Sequence, residues 1–276
     1  MPQNRPYPSD VSDARWALIS PTLEQWRQER HARRTTEVKD PADLRSLWNA
    51  ILYVNRTGIA WKYLPHDFPP PGTVYYYYAA WRDEGVFKQL NTDLTALARQ
   101  QAGRNAEPTA AIIDTQSIKT STDVPTEAQG IDANKKIVGR KRTIVTDTLG
   151  LLLAVIVFAA SITDNSAGIA AINQAKADHP TIVTTWVDTG FKNKFVEHAA
   201  TLGIDAEVVH RNEQVRGFTV LPRRWVVERT IGWLMFHRRL ARDYETLDES
   251  SEAMIQIAMI DNVSKRITDE STPTWR

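Results

Sequence analysis

The chain contains no cysteine in its 276 residues. Disulfides, thiolate zinc sites and cysteine nucleophiles are therefore excluded. It also lacks an excess of charge of one sign: 34 Lys and Arg stand against 33 Asp and Glu, a formal net charge of +1. No global basic footprint for nucleic acid exists, so any such partner has to be met by local clusters. Long hydrophobic runs are missing too. The most apolar stretch, Leu149 to Ile162, is interrupted by glycine and serine and falls short of the ~20 residues that span a bilayer. The opening residues, MPQNRPYPSD, contain no apolar segment of a secretory signal. The expectation is a cytoplasmic protein without membrane contact. There is no GxxxxGK[ST] loop, no HExxH pair and no GxSxG elbow. ATP use, zincin chemistry and a serine-hydrolase mechanism are thus not indicated, and no nucleotide cofactor is expected.

What is present is a set of acids at the ends of β-like runs. Asp-Thr pairs occur at Asp114 in AAIIDTQSIKT, Asp147 in RTIVTDTLG and Asp188 in TIVTTWVDTGF. Asp147 reads as a turn residue, because Thr148 and Gly150 complete a hairpin turn between two strands; asparagine would serve there as well. Asp114 and Asp188 each end an apolar run and lead into polar segments, where ligands of parallel sheets gather. A further acid, Glu228, lies in RRWVVERTIGWLMFHRRLARDYE. On one continuous helix Arg224, Glu228, Arg239 and Arg242 would share one face, opposite Val226, Trp233 and Leu240. Carboxylates gathered this way hold divalent cations, and cations neutralise phosphate. Two basic clusters accompany them. Lys135 to Arg142 (KKIVGRKR) has five cations in eight residues, and Pro222 to Arg242 has six arginines and one acid. Lys135, Lys136, Arg140, Lys141, Arg142, Arg224, Arg238, Arg239 and Arg242 are the candidate DNA-backbone contacts.

The first hundred residues read as helical. In DLRSLWNAILYVN, Leu44, Leu47, Trp48, Ile51 and Val54 share one face. Asp40-Pro41 signals its start and Gly58 its stop. After the break at DFPPPG, Thr73 caps a short helix to Gly85, and another runs from about Phe87 to Gln101. This pair suits a helix-turn-helix, or equally a helical bundle with tyrosines in its core. Gln101 to Thr109 is a polar linker. Strands follow at 110–114, 142–146 and 151–159, then a helix from Asn165, a strand to Asp188, a helix from Lys194 stopped at Gly203, a strand at 205–210, and helices at 225–243 and 252–267. Three meander strands followed by α/β units is the ribonuclease-H-like order. The expected organisation is a helical N-terminal DNA-binding domain over 1–104, a ribonuclease-H-like α/β catalytic domain over 105–267 and a frayed tail over 268–276.

These blocks resemble the DDE transposases of bacterial insertion sequences, specifically the IS5 group. The resemblance is carried by SDARWALISPTL, LRSLWNAILYVNRTGIAWKYLPHDFPPPGTVYYYYAAWRDEGVF, IIDTQSIKT, GRKRTIVTDTLGLLLAV, WVDTGF and RWVVERTIGWLMFHRRLARDYE, in the family's order. It implies that Asp114, Asp188 and Glu228 form the catalytic triad and hold two Mg²⁺ (or Mn²⁺) ions, with Asp114 shared between them. The reaction implied is cleavage at the ends of a DNA element and strand transfer to target DNA. The partners implied are double-stranded terminal inverted repeats and target DNA, with a homodimer or larger assembly on them. The Arg-x3-Glu core of the glutamate signature is present as Arg224 and Glu228. The related IS4 pattern adds a Tyr and a Lys where this chain has Leu221 and Met235, so Arg238 and Arg239 are the candidates for the lysine's role. Two alternatives stay open on the residues alone: a nuclease that cuts without joining, and a domesticated DNA-binding protein.

Overall fold

A computed structural model describes residues 6–33, 42–209 and 224–271. Four helices come first: α1 (Asp13–Ala32), α2 (Leu44–Thr57), α3 (Pro71–Asp83) and α4 (Val86–Gln101). α2 matches its apolar face, with Leu47, Trp48, Ile51 and Val54 fully buried. Asp43 caps it by accepting from Ser46 N, and Gly58 ends it at φ 77°, a left-handed conformation that glycine tolerates. The expected start signal at Asp40-Pro41 lies outside the described residues. α3 begins earlier than expected, with Pro71 in its first turn rather than Thr73 as cap, because proline's fixed φ suits that position and needs no amide partner. Trp48, Trp81, Phe87 and Tyr78 pack together inside this group. Tyr75 and Tyr76 remain exposed.

The sheet follows: β1 (Ala110–Lys119), β2 (Gly130–Asp132), β3 (Ile137–Thr146), β4 (Leu152–Ala159), β5 (Thr184–Val187) and β6 (Asp205–Val208). β3 pairs antiparallel with β1 on one side and with β2 and β4 on the other. β5 pairs parallel with β1, and β6 parallel with β5. A meander thus continues into parallel α/β units, as the pattern implied, with α5 (Asp164–Asp178) and α6 (Asn193–Thr201) as crossovers. The first strand runs five residues beyond Asp114, which therefore sits mid-strand and not at its end. The short β2 carried no periodicity to announce it.

Two helices close the chain, α7 (Trp225–Leu234) and α8 (Asp248–Ile267). α7 is much shorter than the expected 225–243. After Leu234 the chain turns to bury His237, and a separate 3-10 turn at Arg238–Leu240 carries the next arginines. α8 is buried on several sides, with Met254, Ile255, Ile257, Ala258, Met259 and Ile260 among its buried residues. One side meets β4 and the other meets α2 and α4. The core on this side runs without interruption from Ile19 through Trp48 and Leu90 to Val155 and Ile257. A second core, including Ile113, Val187, Phe191 and Phe195, fills the space between the sheet and α5 and α6. No helix among the described residues is long and apolar enough to cross a membrane.

The shared core bears on the split near residue 104. Asn91 Nδ2 donates to Leu152 O (2.9 Å), Asn55 Nδ2 to Met254 O (2.9 Å) and Tyr78 Oη to Ser250 O (2.9 Å), all buried. Arg15 and Lys265 meet on the buried Asp261. A fragment of residues 1–104 loses every one of these partners and exposes the apolar surface that α8 covers. It should show partial helicity by circular dichroism without a cooperative melt, whereas the full chain melts cooperatively. A sharp two-state transition of the fragment alone would contradict this reading.

Candidate active site

The parity of two neighbouring strands brings the first two acids together. In the parallel pairing Ile112 faces Trp186. Two residues further along each chain lie Asp114 and Asp188, so both side chains leave the sheet on the side of α7 and α8. Ile112 and Trp186 join the core on that side, and Ile113 and Val187 the opposite one.

Each aspartate is held by one oxygen and offers the other. Asp114 Oδ1 accepts from Thr115 N (2.8 Å) and Asp188 Oδ1 from Gly190 N (2.8 Å). The remaining oxygens, Asp114 Oδ2 and Asp188 Oδ2, lie 3.8 and 3.7 Å from Arg224 Nη2. Glu228 Oε1 lies 3.5 Å from the same nitrogen. One guanidinium nitrogen therefore sits among carboxylates from three separate parts of the chain. The Arg224 side chain is 12% exposed and Glu228 44%, so the site is an open crevice with a sheltered floor. α7 is seated there by Val226 and Val227 in the core and by Thr230 Oγ1, which donates to Gly150 O (2.9 Å).

Burial pushes the Asp114 carboxyl up to about 6; Arg224 and the Thr115 amide oppose this, and the charges of Asp188 and Glu228 add to it. Gly190 lies in a crowded turn, where a Cβ would stand 2.9 Å from both Asp188 Oδ1 and Asp164 Oδ2. Asp164, on the first turn of α5, accepts from Thr115 Oγ1 (3.0 Å) and Lys141 Nζ (2.7 Å). This supporting acid–lysine pair was not anticipated. The glycine two residues after Asp188 was the signal pointing to a crowded turn.

Most of the basic cluster lies elsewhere. Arg140 and Arg142 are fully buried on one face of β3. Arg140 Nη1 donates to Glu245 O (2.6 Å), Arg142 Nη1 donates to Leu240 O (2.8 Å), and both approach Asp243, at 3.3 and 3.7 Å. Lys141 points the other way, to Asp164. Arg239 is buried too, with Nε on Glu245 Oε1 (2.7 Å) and Nη1 on Ile59 O (3.1 Å). The expectation that these four meet DNA is corrected: buried charges need fixed partners, and theirs are acids and carbonyls of this chain. Arg239 is correspondingly ruled out for the lysine's role. Lys135 and Lys136, in the turn between β2 and β3, and Arg238 and Arg242 are exposed. Lys135 Nζ reaches Thr115 O (3.3 Å), next to Asp114. The end of α7 at Leu234 also removes Arg239 and Arg242 from the face shared by Arg224 and Glu228.

Asp147 lies in the β3–β4 turn, as read, its Oδ1 accepting from Leu149 N (2.9 Å) and Leu151 N (2.8 Å). It is also fully buried and ion-paired with Arg99 of α4. The reading that asparagine would serve equally is therefore overturned. The Arg99 charge would be left buried without its counter-ion.

Among the described residues no three acids or imidazoles already form a metal cage; the triad is arranged instead around the Arg224 cation. The donor set nevertheless fits a hard divalent ion: all ligands are carboxylates, converging on a point that already holds positive charge. Three negative charges against one positive leave room for more cation.

Two family models match the chain. Residues 105–263 match the family model described as "Transposase DDE domain" and residues 11–91 the one described as "Putative transposase of IS4/5 family". No curated protein matches the chain.

Two expectations follow. The Asp114 carboxyl binds its proton more tightly folded (about 6) than at its ordinary value of 3.8. Folding is thus favoured by that proton at low pH, and the contribution is lost as pH rises from about 4 through about 6. In chelator, Asp114→Asn should gain stability over wild type across that window, by up to about 3 kcal/mol. Parallel urea titration curves at the two ends would contradict this. Asp147→Asn should cost about 3–5 kcal/mol, the scale for removing one partner of a buried ion pair; a loss within about 0.5 kcal/mol in the same titration would contradict it.

Proposed function

Because the chain belongs to the DDE transposase family of IS4/IS5 type, we propose that it cuts the ends of a DNA element and joins them to target DNA at the crevice of Asp114, Asp188 and Glu228. The observation that carries this reading is the convergence of the three carboxylates on one cationic nitrogen at 3.5–3.8 Å. In it, Asp114, Asp188 and Glu228 hold the divalent ions, Mg²⁺ or Mn²⁺, which when bound neutralise charge on the scissile phosphate and on the oxygens that enter and leave it.

The chain's own residues supply the rest. The Thr115 and Gly190 amides fix one oxygen of each aspartate, so the other oxygens are presented with little freedom, which is the preorganisation that catalysis exploits. Glu228, on α7 and more exposed, completes the site from the opposite wall. Arg224 balances the acids before DNA arrives and, with its planar fork, suits the clamping of a phosphate oxygen afterwards. The exposed cations Lys135, Lys136, Arg238 and Arg242 are the backbone contacts in this reading. Recognition of the element ends falls to the N-terminal helices, with a dimer or larger assembly bringing two ends together.

The test is a plasmid carrying the element ends, incubated with protein and Mg²⁺. Asp114→Asn, Asp188→Asn and Glu228→Gln should each lower nicking by about a hundredfold or more, while duplex binding in chelator stays within about threefold of wild type. Cutting without joined products would reassign the chain as a nuclease. Undiminished nicking by Asp188→Asn would remove the triad.

A further inference from the structure

The first turn of α5 joins the two segments that carry the aspartates. Backbone pairing between β1 and β5 ends at Ile112 and Trp186, short of Asp114 and Asp188. Past that point no ladder hydrogen bond of this pair sets the gap between the acids. Side chains span it instead. Thr115 leaves β1 on the side opposite Asp114, and its Oγ1 donates to Asp164 Oδ1 (3.0 Å). Lys192 N, in the turn after Asp188, donates to Asn165 Oδ1 (2.8 Å). Asp164 and Asn165 are successive residues of α5, so one short segment grips both sides of the gap.

That segment is itself held firmly. Lys141 of β3 is 4% exposed, and its Nζ donates to Asp164 Oδ1 (2.7 Å) and to Ile162 O (2.7 Å). Ala167, Ala171 and Ile172 bury the following turns of α5, and Phe191, from the turn after Asp188, joins the same core. A Cβ on Gly168 would collide with the Phe191 ring, so helix and turn lie in direct contact. Lys141 also settles the electrostatics. Asp164 is a fourth carboxylate close to the triad, and without a counter-ion it would add to the repulsion there. Its Oδ1 is engaged by both Thr115 and Lys141, which makes it a strut and not a ligand.

A gap fixed in this way bears on the ion it admits. Mg²⁺ demands near-octahedral geometry at about 2.0–2.1 Å, whereas Ca²⁺ accepts looser arrangements at about 2.3–2.6 Å. Groups that hold metal ligands in place without touching the ion contribute about 10–100-fold to affinity.

We infer that Asp164, braced by Lys141, is a positioning residue that sets the spacing of Asp114 and Asp188 and so makes their site selective for a small divalent ion. The inference rests on the reading of the triad as a cation site and adds to it the part of the chain that fixes its width.

The test uses the full chain without DNA. Unbound Mn²⁺ is followed by electron paramagnetic resonance, Mg²⁺ and Ca²⁺ are added as competitors, and each variant is melted in chelator. Wild type should release Mn²⁺ at lower Mg²⁺ than Ca²⁺ concentrations. Asp164→Ala should bind Mn²⁺ about tenfold more weakly and lose most of the distinction between Mg²⁺ and Ca²⁺, while still melting cooperatively. Thr115→Val and Asn165→Ala cut the two ends of the bridge separately. Each should move both readouts the same way, and the double variant should lose less than the two combined, because both act through one gap. Thr115→Ser, which keeps the hydroxyl, should restore most of both. These variants carry the test should Asp164→Ala melt without a cooperative transition. Asp178→Asn removes an acid from the far end of α5, where it pairs with Lys88, and should leave both readouts unchanged. Wild-type behaviour of Thr115→Val and Asn165→Ala, or an equal loss in Asp178→Asn, would overturn the brace while leaving the triad intact. So would a competition pattern that stays the same in every variant. Absence of saturable Mn²⁺ binding by wild type would overturn both.

Discussion

Gathering three carboxylates at one crevice is the constraint on which the rest of the structure turns. Like charges a few ångströms apart repel by several kcal/mol where water is partly excluded, and the Asp114 carboxyl is pushed up chiefly by its burial, with the charges of Asp188 and Glu228 adding to it. Two features offset it. Arg224 places one cation at the meeting point. The scaffold leaves the acids no other position: Asp114 and Asp188 ride on adjacent parallel strands, each pinned by an amide, and Glu228 rides on a helix anchored by Val227 and Thr230. The strain is concentrated where a cation of higher charge would relieve it.

A second feature is that part of the clustered basic charge, Arg140, Lys141, Arg142 and Arg239, serves the scaffold. Asp243 gathers Arg140, Arg142 and Ser251, and its backbone pairs with Lys119 and Ser121 at the far end of β1. Arg239 ties the same segment to Glu245 and to the end of α2. Gly58 permits that approach, because a Cβ there would stand 3.2 Å from the Arg238 backbone. The stretch after α7 is thereby a clamp between sheet and N-terminal helices, which explains why an almost neutral chain carries dense arginine clusters. Of the clustered cations, Lys135 and Lys136 in the turn between β2 and β3, and Arg238 and Arg242 beyond α7, stay exposed.

The legible parts of the sequence were those set by short-range periodicity. The apolar runs leading to Asp114 and Asp188 marked two strands with acids beside polar segments, the 3–4 spacing around Trp48 gave α2, and Arg224 with Glu228 needed only one helical turn. What could not be read depended on partners distant in sequence. The KKIVGRKR run looks like a phosphate-binding patch until Asp243 and Asp164 are placed on opposite faces of β3. Asp147 looks like an ordinary turn residue until Arg99 is found against it. The helix at Trp225 has strong formers beyond Leu234 but yields to the burial of His237, a tertiary preference overriding a local one. The polar stretch after Gln101 suggested two separate units, whereas α8 carries one core across that boundary.

The central claim is that Asp114, Asp188 and Glu228 form a single cation site. Titration of the DNA-free protein with Mn²⁺, followed by electron paramagnetic resonance of the unbound ion, tests it without any reaction. The account predicts saturable binding that weakens about tenfold or more in each of Asp114→Asn, Asp188→Asn and Glu228→Gln, and that strengthens in Arg224→Gln, where the competing guanidinium is gone. Binding that is unchanged by all four substitutions would contradict it.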